Sequence, residues 1–262
     1  MPTSTGRWSL ILVTILTVTQ LAGVPASATP QKPVAYAQTV LAAGEKAEER
    51  VMPGGELELI VAKKPATIGS GVPQGRRISS LTPFERLDLR VGVAATIEID
   101  SSLASPVVEM KIDDNLSDAI SFRSDGVTLV VEPVRSFRTT ARPTLTIVMP
   151  RLSSVRIGST TLVSVRGLDQ HSLAVSAAGA AAVRLTGAVR VAELAVADSS
   201  SIDATAMRAE AITVSGAGSA TCIVGESRRI DGHIAGSAKL LYRSASVLSV
   251  ARDGAGRVEL VP

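Results

Sequence analysis

Apolar residues alternate with polar or small ones along most of the chain, and in its second half the pattern recurs with a period of roughly 20 residues. A small turn residue is followed four positions later by an apolar one. Gly158, Gly179, Asp198, Gly218 and Gly236 lead in this way to Leu162, Val183, Ile202, Cys222 and Leu240. A unit this short cannot bury its apolar face alone, so stacked rungs are implied. Before each turn stands another apolar pair, as in Leu173 and Val175, Leu194 and Val196, Ile212 and Val214. Each rung is therefore predicted to hold at least two short strands, bent at a Gly- and Ser-rich corner. Equivalent side chains of adjacent rungs lie about 4.8 Å apart, which leaves no room for bulk at a repeated corner. Corners also call for positive φ, which Gly tolerates best and Asp next, so Asp198 fits the glycine column.

Upstream, from Phe84, period-two alternation runs through Leu87, Leu89, Val91 and Val93 and again through Thr96 to Ile99. Val107 to Ile112, Val127 to Val131 and Leu145 to Val148 are further strand candidates, separated by Asp113-Asp114-Asn115, Asp125-Gly126 and Pro150. Val247 to Val261 reads as a final hairpin closed near Asp253-Gly254. The fold class expected is all-β, a parallel β-helix (solenoid) with short strands and Gly/Ser corners. It is taken as right-handed because parallel crossover connections overwhelmingly are. Open coil ends invite other strands, so the terminal hairpin and the leader are candidate caps.

The first 28 residues read as a secretory signal peptide. Arg7 gives the positive start, Leu10 to Val18 the short apolar stretch, and Ala26-Ser27-Ala28 the small-residue cleavage pattern. The apolar run is too short, and too broken by threonines, to span a bilayer comfortably. Residues 29–80 are expected to be a linker, largely irregular or disordered, because Pro30, Pro33, Pro53, Pro65 and Pro73 interrupt them. Within that leader Ala35 to Arg50 could form a short helix and Glu56 to Ala62 a strand. Residues 81–262 form the expected β-helix domain.

The residues that carry the rungs also resemble a known family. FERLDLRVGVAATIEI from Phe84, DDNLSDAI, DGVTLVVE, TLTIVMPRLSSVRIGST, SGAGSATCIVG and IAGSAKLLY follow one another in the order of the GIN-domain family of auto-transporter adhesin heads. The resemblance covers about two thirds of the chain. It implies a β-helix in a secreted or envelope-located bacterial protein, and it brings no catalytic residues. The chain departs from the family pattern where AAGAAA replaces a Gly-Ser step and where DSSS lacks its Gly.

Composition narrows the chemistry. Of the 262 residues only 2% are aromatic, so the core must be built from Val, Leu, Ile and Ala. The 27 Lys and Arg against 24 Asp and Glu leave +3, too balanced to argue for nucleic acid. Cys222 is the only cysteine, so no internal disulfide forms, and in its apolar column it reads as a small buried hydrophobe. His171 and His233 stand three rungs apart, about 14 Å or more by strand spacing, which is too far for one metal. No Ser-His elbow is present. Asp113, Asp114, Asn115 and Asp118 lack the Gly and terminal Glu of a calcium loop and read as a turn.

No catalytic residue, cofactor or metal ligand is therefore assigned. Arg135, Arg138 and Arg142 surround Phe137 and form the candidate anion-binding surface, since Arg offers paired donors to phosphate and carboxylate. The reading is an exported, non-enzymatic binding or adhesion scaffold of the bacterial envelope, in periplasm, on the surface or outside. Its partner would be an envelope polymer or protein, with self-association through coil ends and no membrane span in the mature chain. Two alternatives stay open. One is a carbohydrate-active β-helix enzyme using Asp169, Asp198 or Asp203, although the only Trp, Trp8, lies in the expected signal peptide. The other is a periplasmic structural, self-assembling protein.

Overall fold

The computed structural model describes residues 35–40, 46–61, 65–79 and 81–261. The proposed signal peptide, 1–28, lies outside the described residues. In chain order the first strands are β1 (Ala35–Val40), β2 (Lys46–Val51) and β3 (Leu57–Val61), joined as an antiparallel meander. Then come β4 (Thr67–Ile68) and β5 (Pro73–Ile78). This corrects the expected irregular linker where the chain is described, and Ala35–Val40 and Lys46–Val51 are strand rather than helix. The physical reason is a partner far along the chain. Ala47, Val51, Leu57, Leu59 and Val61 alternate onto one buried face that joins the main core, and pairing with distant residues outweighs the local Gly and Pro signals.

The stack begins with β6 (Arg86–Leu89) and β7 (Ala94–Ile99), followed by β8 (Val107–Asp113), β9 (Ile120–Ser124), β10 (Thr128–Pro133), β11 (Phe137–Arg138), β12 (Thr144–Met149) and β13 (Ser154–Ile157). Strand β11 leaves the stack to pair with β3 and β4, which brings Phe137 into the core beneath the leader meander. Each rung has one side made by β10, β6 or β13 and another made by β12, β7 or the strand that follows. The order of stacking is not the order of sequence. The β6–β7 rung lies between the β10–β12 rung and the next one, because β6 pairs in parallel with both β10 and β13 while β7 pairs in parallel with β12 on one edge. Arg90 fastens the insertion. Its Nη2 donates to Asp88 Oδ2 at 2.6 Å, and its Nη1 lies 3.5 Å from Glu132 Oε2 on the neighbouring rung.

The repeat itself is β14 (Leu162–Ala177), β15 (Ala182–Val196), β16 (Ser201–Gly216), β17 (Thr221–Ile234) and β18 (Lys239–Arg252), each parallel to the next. These five consecutive strands make a parallel β-solenoid of about five turns, and the earlier strands extend the stack beyond them. The two short strands anticipated in each rung run on as one strand of 14 to 16 residues. Register shifts after Val165, Arg184 and Ala204 turn the strand without ending the ladder, as bulges do. Inward columns are continuous: Leu145, Ala95, Val163, Val183, Ile202, Cys222 and Leu240 stand over one another and are all buried. Each buried aliphatic contributes roughly 25 cal/mol per Å² removed from water.

The sequence columns need one correction, at their first member. Ser159, not Gly158, holds the positive φ of 71° that starts the series continued by Gly179, Asp198, Gly218 and Gly236. Val163, 4% exposed, therefore occupies the apolar column, and Leu162 points outward at 44% exposure. A slip of one residue moves a side chain to the opposite face. At Asp198 the carboxylate Oδ2 accepts the Gly179 amide at 2.9 Å, so the non-glycine corner gains a bond to the previous rung.

The two ends differ. At the N-terminal end, β9 adds antiparallel to β10, β8 antiparallel to β12, and β5 antiparallel to β8. At the other end the expected closing hairpin is absent, because Asp253-Gly254 form one more corner, with φ 68° at Gly254, and β19 (Arg257–Leu260) lies parallel to the start of β18.

Candidate binding surface

Period-two alternation buries Ala95, Val163 and Val183 and turns their neighbours outward, so one side of the stack presents Thr146, Thr96, Ser164, Arg184 and Asp203 in register. Beside them stand Thr144, Ala94, Leu162, Ala182 and Ser201. Small residues at Ala94, Ala182 and Ser201 leave a hollow of about 380 Å³, bounded by Leu162, Arg184 and Asp203. Arg184 Nε lies 4.0 Å from Asp203 Oδ2, and Asp203 Oδ1 accepts from Thr205 N at 3.0 Å and Thr205 Oγ1 at 2.6 Å. The surface thus offers hydroxyls, an apolar floor and one charge pair, on a backbone held by ladders on both edges. It suits hydrogen bonding and van der Waals contact with an extended partner.

The sequence-predicted arginines each engage a separate acceptor within the chain. Arg135 donates from Nη2 to Asp118 Oδ1 at 2.5 Å and from Nη1 to Thr67 Oγ1 at 2.7 Å. Arg138 donates to Glu56 Oε2 at 2.7 Å, and that hydrogen bond raises its pKa further. Arg142, half-buried, donates to the Thr160 carbonyl at 2.7 Å, and burial lowers its pKa. These contacts tie the leader strands and the β11 loop to the stack.

Of the three aspartates weighed for glycan cleavage, only Asp203 borders the hollow. Asp198 serves its corner, and Asp169 is exposed on β14. Asp113 accepts from Thr140 N and Oγ1 at 3.0 and 2.9 Å, while Asn115 Oδ1 accepts the Ser70 amide at 2.9 Å, so this turn closes on its own neighbours. His233 Nε2 lies 2.8 Å from Asp253 Oδ2 at the rim. Burial pushes the Cys222 thiol up to about 12, which leaves it inert as a nucleophile.

One polar centre carried no sequence signal. Glu49, fully buried on β2, accepts Gly92 N at 3.0 Å, Thr160 Oγ1 at 3.1 Å and Thr160 N at 3.4 Å, so its carboxyl joins the leader meander to the corners of two rungs. Burial pushes its pKa above the usual glutamate range, and these hydrogen bonds draw it only partly back. A carboxyl with a raised folded pKa contributes stability that is complete below the unfolded value and is lost as pH rises through the folded value. Melting temperature is therefore expected to fall as pH rises above the ordinary glutamate range, and Glu49→Gln should flatten that dependence. A wild-type profile identical to that of Glu49→Gln would contradict the assignment.

A family model described as "Putative auto-transporter adhesin, head GIN domain" matches residues 83–245. No curated protein matches the chain. A crystal structure of a "putative adhesin" from Bacteroides fragilis superposes with a TM-score of 0.61 at 17% identity, over 75% of this chain and 100% of that one. A "putative lipid binding protein" from Parabacteroides distasonis gives 0.45 at 18% identity, over 76% and 100%. A "putative adhesin" from Parabacteroides merdae gives 0.47 at 14% identity, over 76% and 100%. At these identities the likeness is one of fold, and it rests on the Bacteroides fragilis protein.

Proposed function

Because the chain belongs to the family described as "Putative auto-transporter adhesin, head GIN domain", matched over residues 83–245, we propose that it is an exported, non-enzymatic scaffold that binds a polymer or protein of the bacterial envelope. The carrying observation is the hollow between Leu162, Arg184 and Asp203 on an otherwise continuous strand face. Successive rungs repeat their outward positions about every 4.8 Å, so a chain-like partner can be followed along the stack without any rearrangement of the protein. Little ordering cost is left to the scaffold, which favours binding by preorganisation. Export is supported by Arg7, the Leu10 to Val18 stretch and Ala26-Ser27-Ala28.

Glycan cleavage has less support, because a hydrolase needs two carboxyl groups roughly 5–9 Å apart across its substrate and only one of the aspartates considered borders the hollow. The test is Ala182→Arg, which fills the floor from an outward position. Capture of envelope fractions by the full chain should fall about tenfold or more, equal to about 1.4 kcal/mol, with the melting temperature unchanged. Undiminished capture by that variant would move the binding face elsewhere.

A further inference from the structure

We propose that the cleft between β5 and β9, at the N-terminal end of the stack, docks an acidic, extended peptide segment of another protein. The site is separate from the hollow on the solenoid side and shares no lining residue with it.

The cleft is an open, shallow depression of about 340 Å³ between two strands that each end a sheet. Among the described residues β5 pairs only with β8 and β9 only with β10, so each has an edge without a strand partner. Such an edge is a template for strand addition, in which main-chain bonds give affinity and alternate side chains give selectivity. Ile120 is buried at the floor, and Ile78 and Phe122 pack partly buried against the main core, so an apolar strip runs along the cleft.

The walls are cationic. Arg76 sits with its guanidinium carbon 6.0 Å from the centre of the Phe122 ring, and Arg77 stands opposite Glu109 across the ladder. Neither arginine takes part in a salt bridge among the described residues. The single acid in the lining, Asp118, is bonded by Arg135 and also lies in the field of Arg76, and the two hold its carboxyl below the usual aspartate range. Two arginines around an apolar strip call for carboxylates alternating with apolar side chains, which is the pattern of an acidic β-strand. The chain's own N-terminal residues 1–34 do not fit, because they contain no Asp or Glu and carry Arg7 and Lys32.

The probe is a short labelled peptide alternating Glu with Val or Thr, titrated against the full chain by fluorescence anisotropy. Wild type should bind it, and Arg76→Glu combined with Arg77→Glu should weaken binding at least tenfold without shifting the melting temperature. Phe122→Ala should weaken it several-fold, and Arg190→Glu, on the solenoid side, should leave it unchanged. A peptide methylated on alternate backbone nitrogens should bind poorly if a strand is added. No binding by wild type, or equal binding by the double arginine variant, overturns the proposal. Equal binding of the methylated peptide, or of a sulfated oligosaccharide, also overturns it, because the cleft would then read charge alone.

Discussion

Ile202→Asp is expected to unfold the solenoid under conditions where the wild type is fully folded. Ile202 is completely buried and stands between Val183 and Cys222 in the column that runs through every rung. A carboxylate there would lose water and meet aliphatic side chains and the Cys222 thiol, a weak donor, with no cation in the column. Burying such a group unpaired costs several kcal/mol, and a folded domain has only about 5–15 kcal/mol to lose. In a stack whose rungs contact only their neighbours, the damage spreads by separating the rungs on either side. Ile202→Val, by comparison, should cost about 1 kcal/mol. Urea unfolding followed by circular dichroism measures both. Equal midpoints for wild type and Ile202→Asp would remove Ile202 from the core.

Gly232→Ala should be nearly as damaging, although it adds one methyl group. Gly232 lies in the inward column between Val214 and Val250, with φ at 149°. A Cβ built on it would meet the Val214 carbonyl oxygen at 1.9 Å and the Val214 amide nitrogen at 2.9 Å. The obstruction is the backbone of the rung below, so no side chain can swing aside. The variant must shift the β17 ladder, at a cost above the ordinary range of about 0.5–3 kcal/mol for single substitutions. Gly54→Ala is the control, since nothing lies within 4 Å of its added methyl. A Gly232→Ala protein that melts with the wild type would show that β16 and β17 are not stacked in this register.

The rungs were legible because their spacing and corner chemistry agree. Glycine recurs where φ is positive, and four residues later an aliphatic side chain turns inward. The first rung misled by one position, since Gly158 offers the expected residue type while Ser159 carries the conformation. The leader misled more. Ala47, Glu49 and Val51 are all inward, but the glutamate breaks the apolar alternation that would have marked β2, and only Gly92 and Thr160 reveal why it is tolerated. The arginine surface illustrates the same limit. Arg135 and Arg138 read as free cations because Asp118 and Glu56 lie 17 and 82 positions away. The hollow depends on lateral register between Ala94, Leu162 and Ala182, which period alone does not supply.

The threading of β6 and β7 between later-made rungs governs how the protein can be produced. During vectorial synthesis this segment emerges before the layers on either side of it, which are complete only after residues 128–149 and 154–166 have followed. Until then both of its edges are bare, so growth cannot start at the amino terminus and advance layer by layer. Contact separation alone predicts that nucleation starts in the consecutive layers from β14 onward, whose pairings are closer in sequence. Until those layers close, the apolar alternation of β6 and β7 stays exposed to association with other chains.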